Sequence, residues 1–523
     1  MRISRRTVML QGAVIGAGII SDSIPGMKAL AAGQPPLRRT LQGLAWNDPI
    51  VETYRDAVGQ LKQKAPTDKT SWAGLAGIHG NNPNAYHFCP HGNWYFLPWH
   101  RAYILTYERF IRQLMKNNDF ALPFWDWTTN PTMPAVFTMP KTPDGKSNPL
   151  FVNDQDFGQT WKRTWPAKKA MPANVVGPAV LQEILGSADY EEFGTSRPKG
   201  QTNLNASWVL KRTGTQGTLE GTAHNLVHNN IGGWMPSALS PRDPIFFMHH
   251  CNIDRIWAVW NSLGNENSPE SLWRDMTFTN NFINTDGTSF SPKVSDLFVP
   301  ETLGYTYGLS TPVAAATPSP NLTTLRNNLA AVRATPAADA AGVKSFSAAP
   351  AGPTVGTATA PLAVSVKVDP ALIASVLKRA PVPSGTEFMN FAVAREQRAT
   401  GTRVLAFLRD VAVTDAQDTE YQVYLDSPDF DTKASPSDPG YVGSFGIFVH
   451  GEHAGHDAPT DADTSANPSF VLDLTSAVQR VYGGGQTPPD AIKLRFLPVV
   501  SKPNAPRAGT IRPGQVEVVF LNT

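Results

Sequence analysis

Cysteine is nearly absent from this chain of 523 residues, which holds only Cys89 and Cys251. Two thiols supply no disulfide framework and no thiolate cluster for a structural zinc site. A charge balance of one sign is missing too. The 45 Lys and Arg nearly cancel the 43 Asp and Glu, leaving +2, so no basic face for nucleic acid is implied. Beyond the first 33 residues no run is apolar for long enough to cross a bilayer. What the chain does have is bulk for cores: 41% of its residues are hydrophobic and 10% aromatic, which argues against disorder throughout. Its length suggests two or three domains.

Residues 1–33 read as an export segment. Ser4-Arg5-Arg6-Thr7-Val8-Met9 puts paired arginines ahead of a Gly- and Ala-rich stretch, and Ala29-Leu30-Ala31 offers a small-residue cleavage site. The arrangement resembles a twin-arginine signal, so the mature chain is expected in the periplasm or outside the cell. Residues 34–310 are rich in Trp, His and helical patterning. Over 311–360 the composition shifts to Ala, Pro, Thr and Ser, as in Thr317-Pro318-Ser319-Pro320, which reads as a linker. From 361 to 523 short strand-like runs dominate, among them Tyr421-Gln422-Val423-Tyr424-Leu425. Turn residues between them predict an all-β sandwich domain.

Three helices of the first domain carry the informative residues. One is expected over Pro98 to Asn117, where Ile104, Tyr107, Ile111 and Leu114 recur at helical spacing. Another begins at Asp243-Pro244, with the aspartate as cap, and ends near Gly264. A third includes His224-Asn225-Leu226-Val227-His228, whose two histidines face the same way. No glutamate follows His224 as in a zinc protease helix, so a metal there needs a further ligand. His249 and His250 point about 100° apart on their helix, so one of the pair supplies it. Asp254 is placed either to orient that histidine or to pair with Arg255. Upstream, His91 belongs to a loop and His100 to the first turn of the helix that Pro98 opens. His79 is the remaining candidate of this group, with His87 its rival. Two groups of three histidines without bridging carboxylates suit two copper ions, since zinc sites mix in thiolate or carboxylate and di-iron bundles need glutamates. A mainly α catalytic domain, with a four-helix-bundle core around a dinuclear copper site, is the expected architecture.

Cys89-Pro90-His91 through Trp99-His100-Arg101 to Glu108 resembles the first copper signature of tyrosinases, polyphenol oxidases and molluscan hemocyanins. Asp243 to Asp254 resembles the second, in which His250 rather than His249 is the ligand. The resemblance implies His79, His91 and His100 on one copper and His224, His228 and His250 on the other. Phe124-Trp125-Asp126-Trp127 matches a core motif of the family. Cys89, two residues before His91, resembles the fungal arrangement in which a thioether joins the two side chains. Leu303-Gly304-Tyr305-Thr306-Tyr307 and Tyr441-Val442-Gly443-Ser444-Phe445 resemble segments of the plant enzymes, whose N-terminal disulfide cysteines are missing here.

The family uses O2 to hydroxylate monophenols and to oxidise o-diphenols to o-quinones. A monophenol must lose its proton first, which makes a positioned base useful. Glu220 and Asn225 match family positions proposed to hold a water for that purpose. Ser237 stands where plant catechol oxidases carry a bulky phenylalanine, so an open entrance is expected. The resemblance therefore implies a tyrosinase with both activities, acting on small phenols. A catechol oxidase without monophenol hydroxylation and a hemocyanin-like oxygen carrier are the alternatives. By the same resemblance the C-terminal domain shields the copper entrance. His450, His453 and His456 read as a surface cluster rather than a copper-capturing one.

Overall fold

The computed structural model describes residues 34–83, 85–152, 155–156, 159–309, 320–334, 342–380, 399–426, 434–448, 467–485, 487–501 and 508–522. The export segment and His450, His453 and His456 lie outside the described residues.

The helical part is built on α1 (Pro49–Gln63), α2 (Phe96–Met115), α3 (Asn225–Ile231) and α4 (Ile245–Ser262). Asp48 caps α1 by accepting from the Ile50 amide, and Val51, Tyr54, Val58 and Leu61 bury one face at helical spacing. Helix α2 starts two residues before the expected Pro98 and ends where Lys116 turns left-handed at φ 49°. The proline still falls within the first turn, where its missing N–H leaves no bond unmade. This moves His100 just past that turn. Asp243 stands ahead of α4 and accepts from the Ile245 amide at 2.9 Å, as its capping reading requires. Helix α3 continues a π-helical turn, Leu219–His224. Such turns recur at functional sites because they change which side chains share a face.

The C-terminal part is a pair of sheets packed face to face. Their strands are β1 (Thr215–Gln216), β2 (Val343–Ala348), β3 (Leu362–Lys367), β4 (Arg403–Arg409), β5 (Thr419–Leu425), β6 (Tyr441–Phe445), β7 (Ser469–Asp473), β8 (Ala491–Val500) and β9 (Gln515–Leu521). One sheet has the order β1-β7-β4-β9-β2 and the other β6-β5-β8-β3. In β3 Leu362, Val364 and Val366 are buried and alternate with exposed residues. They meet Val404, Ala406, Leu408, Val516, Val518 and Phe520 of the opposite sheet in one core. β1 comes from the helical part and pairs parallel with β7, Thr215 opposite Ser469 and Gln216 opposite Phe470.

The linker reading of 311–360 needs correction. Pro320–Ala334 forms helix α5 and Val343–Ala348 forms β2. Leu322, Leu325, Leu329 and Val332 of α5 pack on Leu405, Phe407, Val519 and Leu521 of the sheet and reach Ala188 of the helical part. Apolar residues at helical spacing thus cover a sheet face despite the Ala- and Pro-rich surroundings, and the β domain begins before residue 361.

Candidate metal centre

Two groups of buried side chains meet between α2, α3 and α4. Candidate ligand atoms of His79, Cys89, His91 and His100 lie within 4.8 Å of one another, as do those of His224, His228, His249 and His250. All six expected histidines are brought together; His87, the rival of His79, is outside both groups.

Backbone carbonyls orient three of these rings. Nδ1–H of His79 donates to Ala238 O at 2.6 Å, that of His100 to Phe96 O at 2.7 Å and that of His228 to Met235 O at 2.7 Å. A proton on Nδ1 leaves the Nε2 lone pair free for a metal. Nε2 of His79 and of His224 is buried without a hydrogen-bond partner, and Nε2 of His228 and His250 face each other at 3.2 Å. Burial drives all these imidazoles neutral, His79 and His224 down to about 3. Neutral imidazoles with converging lone pairs are the donor set that a copper pair takes.

His249 is buried beside the second group, yet its bonding argues against ligation. Trp127 Nε1–H donates to His249 Nδ1 at 3.2 Å. An indole nitrogen can only donate, so Nδ1 is the bare nitrogen and Nε2 carries the proton. Trp127 of the Phe-Trp-Asp-Trp motif thereby fixes the tautomer of His249, whose Nε2 is buried without a hydrogen-bond partner.

Cys89 Sγ lies 3.2 Å from His100 Nε2 and 3.6 and 3.8 Å from the two ring nitrogens of His91. Burial pushes its thiol up. Cys251 is also buried, and its carbonyl accepts from the Tyr307 hydroxyl.

Glu220 is fully enclosed. Its carboxylate accepts from the Gly92 amide at 2.7 Å and from the Thr195 hydroxyl, while burial pushes it up to about 7. Asn225 accepts from His224 Nδ1–H at 2.8 Å and gives its amide hydrogens to Gln216 Oε1 at 2.8 Å and Gly446 O at 2.9 Å.

One expectation fails. Asp254 neither orients His250 nor pairs with Arg255. It binds Arg101 at 2.5 Å, Arg38 at 3.1 Å, and the hydroxyls of Tyr305 and Tyr307. Arg255 pairs with Asp126 instead. Glu108 completes the buried network through Arg38 and Arg112. A fully buried Arg38 needs two carboxylates nearby, and that demand outcompetes the histidine.

Ser237 is small and buried. Its hydroxyl turns back onto Trp234 O at 2.8 Å. Phe448, from the β domain, covers the site with ring centroids 4.6 Å from His91, 4.7 Å from His228 and 5.6 Å from His224. Phe96 and Phe246 also pack against the histidines, at 4.7 Å from His100 and 4.1 Å from His250. Sequence reading missed Phe448, Gln216 and Gly446 because their contacts bridge the two parts of the chain. Only the β1–β7 pairing and the 444–448 segment bring them to the histidines.

Residues 69–263 match the family model for the common central domain of tyrosinase. A tyrosinase of Hahella sp. (strain CCB-MM4) is 25% identical over 492 residues, 86% of this chain and 93% of that protein. The chloroplastic polyphenol oxidase of Malus domestica is 26% identical over 387 residues, 69% of this chain but 58% of the longer plant protein. The solved structure of latent apple tyrosinase shares the fold over 96% of this chain and all of its own, with a TM-score of 0.58 at 19% identity.

Proposed function

Since the chain belongs to the tyrosinase and polyphenol oxidase family, we propose that it is a true tyrosinase, oxidising o-diphenols to o-quinones and also hydroxylating monophenols. The carrying observation is the pairing of six neutral imidazoles with a buried carboxylate that titrates near neutrality, Glu220. The four helices then act as a bundle core, with His79, His91 and His100 holding one copper and His224, His228 and His250 the other. A bound copper pair supplies the redox chemistry that activates O2.

The remaining work falls to the protein. Phe96 and Phe246 keep water from the histidines and offer aromatic faces to a phenol. Glu220 receives the hydroxyl proton of a monophenol, relayed by a water held with Asn225. Ionised, its carboxylate accepts; protonated, it cannot. Ser237 adds no bulk near His79, which suits monophenol access once Phe448 has moved. With Phe448 seated, the chain is latent, and segment 444–448 must leave before a phenol reaches the metals. That departure also frees an amide hydrogen of Asn225, now given to Gly446. Export by the twin-arginine-type segment would deliver the protein folded and metal-loaded.

Oxygen uptake by the copper-loaded chain, offered tyrosine and then its o-diphenol, tests the proposal. Uptake with both, with a lag on tyrosine, is expected. Uptake with the diphenol alone makes the chain a catechol oxidase. Reversible oxygen binding without phenol turnover, also after Phe448→Ala, makes it an oxygen carrier.

A further inference from the structure

Among the oriented rings, His224 is set apart by its partner. His79, His100 and His228 each donate Nδ1–H to a backbone carbonyl of the helical part. His224 faces a side-chain amide, Asn225. An amide presents oxygen from one end and N–H from the other, so its direction decides which nitrogen of His224 carries the proton.

That direction is fixed from outside. The Asn225 nitrogen stands 2.9 Å from the carbonyl oxygen of Gly446, an atom that can only accept. It also stands 2.8 Å from Gln216 Oε1. The nitrogen end therefore points at these two, and the oxygen end at His224 Nδ1. The proton of His224 must sit on Nδ1, leaving Nε2, buried and unpartnered, with its lone pair free.

Both outer partners are built in. Gln216 is buried and lies on β1, whose register against β7 places it opposite Phe470. Gly446 approaches so closely that a Cβ there would lie 2.7 Å from Leu226 Cδ2, and its own amide donates to Gly221 O at 2.8 Å. A larger residue would push the carbonyl away from Asn225. Thr222 of the π-helical turn donates to Ser444 O at 2.5 Å and Asn229 of α3 to Ile447 O at 3.1 Å, holding the same segment along the helix.

We infer that Gln216 is a positioning residue for the second copper, acting through Asn225 on His224, and that Gly446 of the β domain shares this task. The β domain then does more than cover the site: it helps set the tautomer of a ligand. The inference rests on the copper reading of His224.

The test is copper retention, with no turnover measured. The full chain is loaded with copper, dialysed against EDTA, and its copper-to-protein ratio followed. Gln216→Met keeps the length and removes the acceptor; Gln216→Glu keeps an acceptor. Q216M should fall from two coppers to one at a chelator concentration about tenfold below that needed for the parent, while Q216E tracks the parent. Retention of both ions by Q216M overturns the inference. So does loss of both together, which marks a disturbed fold, and so does equal loss from Q216E. A parent chain that never holds two coppers would instead overturn the reading of the site itself.

Discussion

The ring of Phe448 lies against that of His91, centroids 4.6 Å apart and planes at 39°. A phenol approaching this histidine needs the same volume, so Phe448 stands as an occupant to be displaced. Phe448→Ala in the full chain should raise o-diphenol oxidation by about tenfold or more, equivalent to roughly 1.4 kcal/mol of relieved competition. Initial rates of quinone formation read this out. A rate equal to the parent's would mean that the domain blocks the site by other means.

On the proposed reading, Glu220 separates the two activities. Its burial and elevated value of about 7 predict that monophenol hydroxylation rises with pH through neutrality, as the carboxylate forms. Glu220→Gln should lower monophenol turnover about 100-fold and abolish that limb, leaving diphenol turnover within a few-fold. A pH–rate profile on both substrates is the measurement, and equal losses on both would sink the base role.

The same group bears on stability. A carboxyl whose folded value lies above its unfolded value contributes fully below about pH 4.5, and that contribution is lost as pH rises through about 7. The copper-free Glu220→Gln chain should therefore gain on the parent in melting temperature between these limits. A constant offset from pH 4 to 8 would contradict this.

Asp254 and Glu108 share the buried Arg38, while Asp254 also holds Arg101. Removing one carboxylate strands a buried guanidinium. Asp254→Asn should destabilise the chain by about 3–5 kcal/mol, measured by denaturant unfolding of the copper-free protein. The histidines proposed to hold copper are untouched, so the folded fraction should still bind copper. A loss below about 1 kcal/mol would show that Tyr305 and Tyr307 suffice.

Cys89 sits close enough to His91 for a covalent link, its sulfur 3.6 Å from the nearer ring nitrogen. Copper-loaded protein exposed to air should yield a peptide containing both residues that is lighter by two hydrogen atoms. Cys89→Ser should give the unlinked mass. Unlinked peptide from both proteins would leave Cys89 a packing residue.

How much was legible depended on the distance over which each contact acts. The spacing of His224 and His228, the Asp243 cap and the alternation in β3 are local, and each follows from helix or strand periodicity. Pro98 was informative for a similar reason, although the helix opened two residues earlier because a first-turn proline costs no bond. The His249–His250 choice rests on resemblance, and the Trp127 bond to His249 that bears on it is a contact only the tertiary structure shows. Composition misled at α5, where surrounding Ala and Pro masked four leucine and valine positions on one face.

The sequence by itself determined the donor set: two sets of histidines, a helical part before a β part, and too few cysteines for a thiolate metal framework. Tertiary structure alone decided what governs access and orientation. Asp254 went to Arg38 and Arg101 rather than to a histidine, because buried guanidinium groups demand carboxylates wherever the chain brings them. Phe448, Gly446 and Gln216 reached the histidines through pairing between distant strands, which no local period encodes.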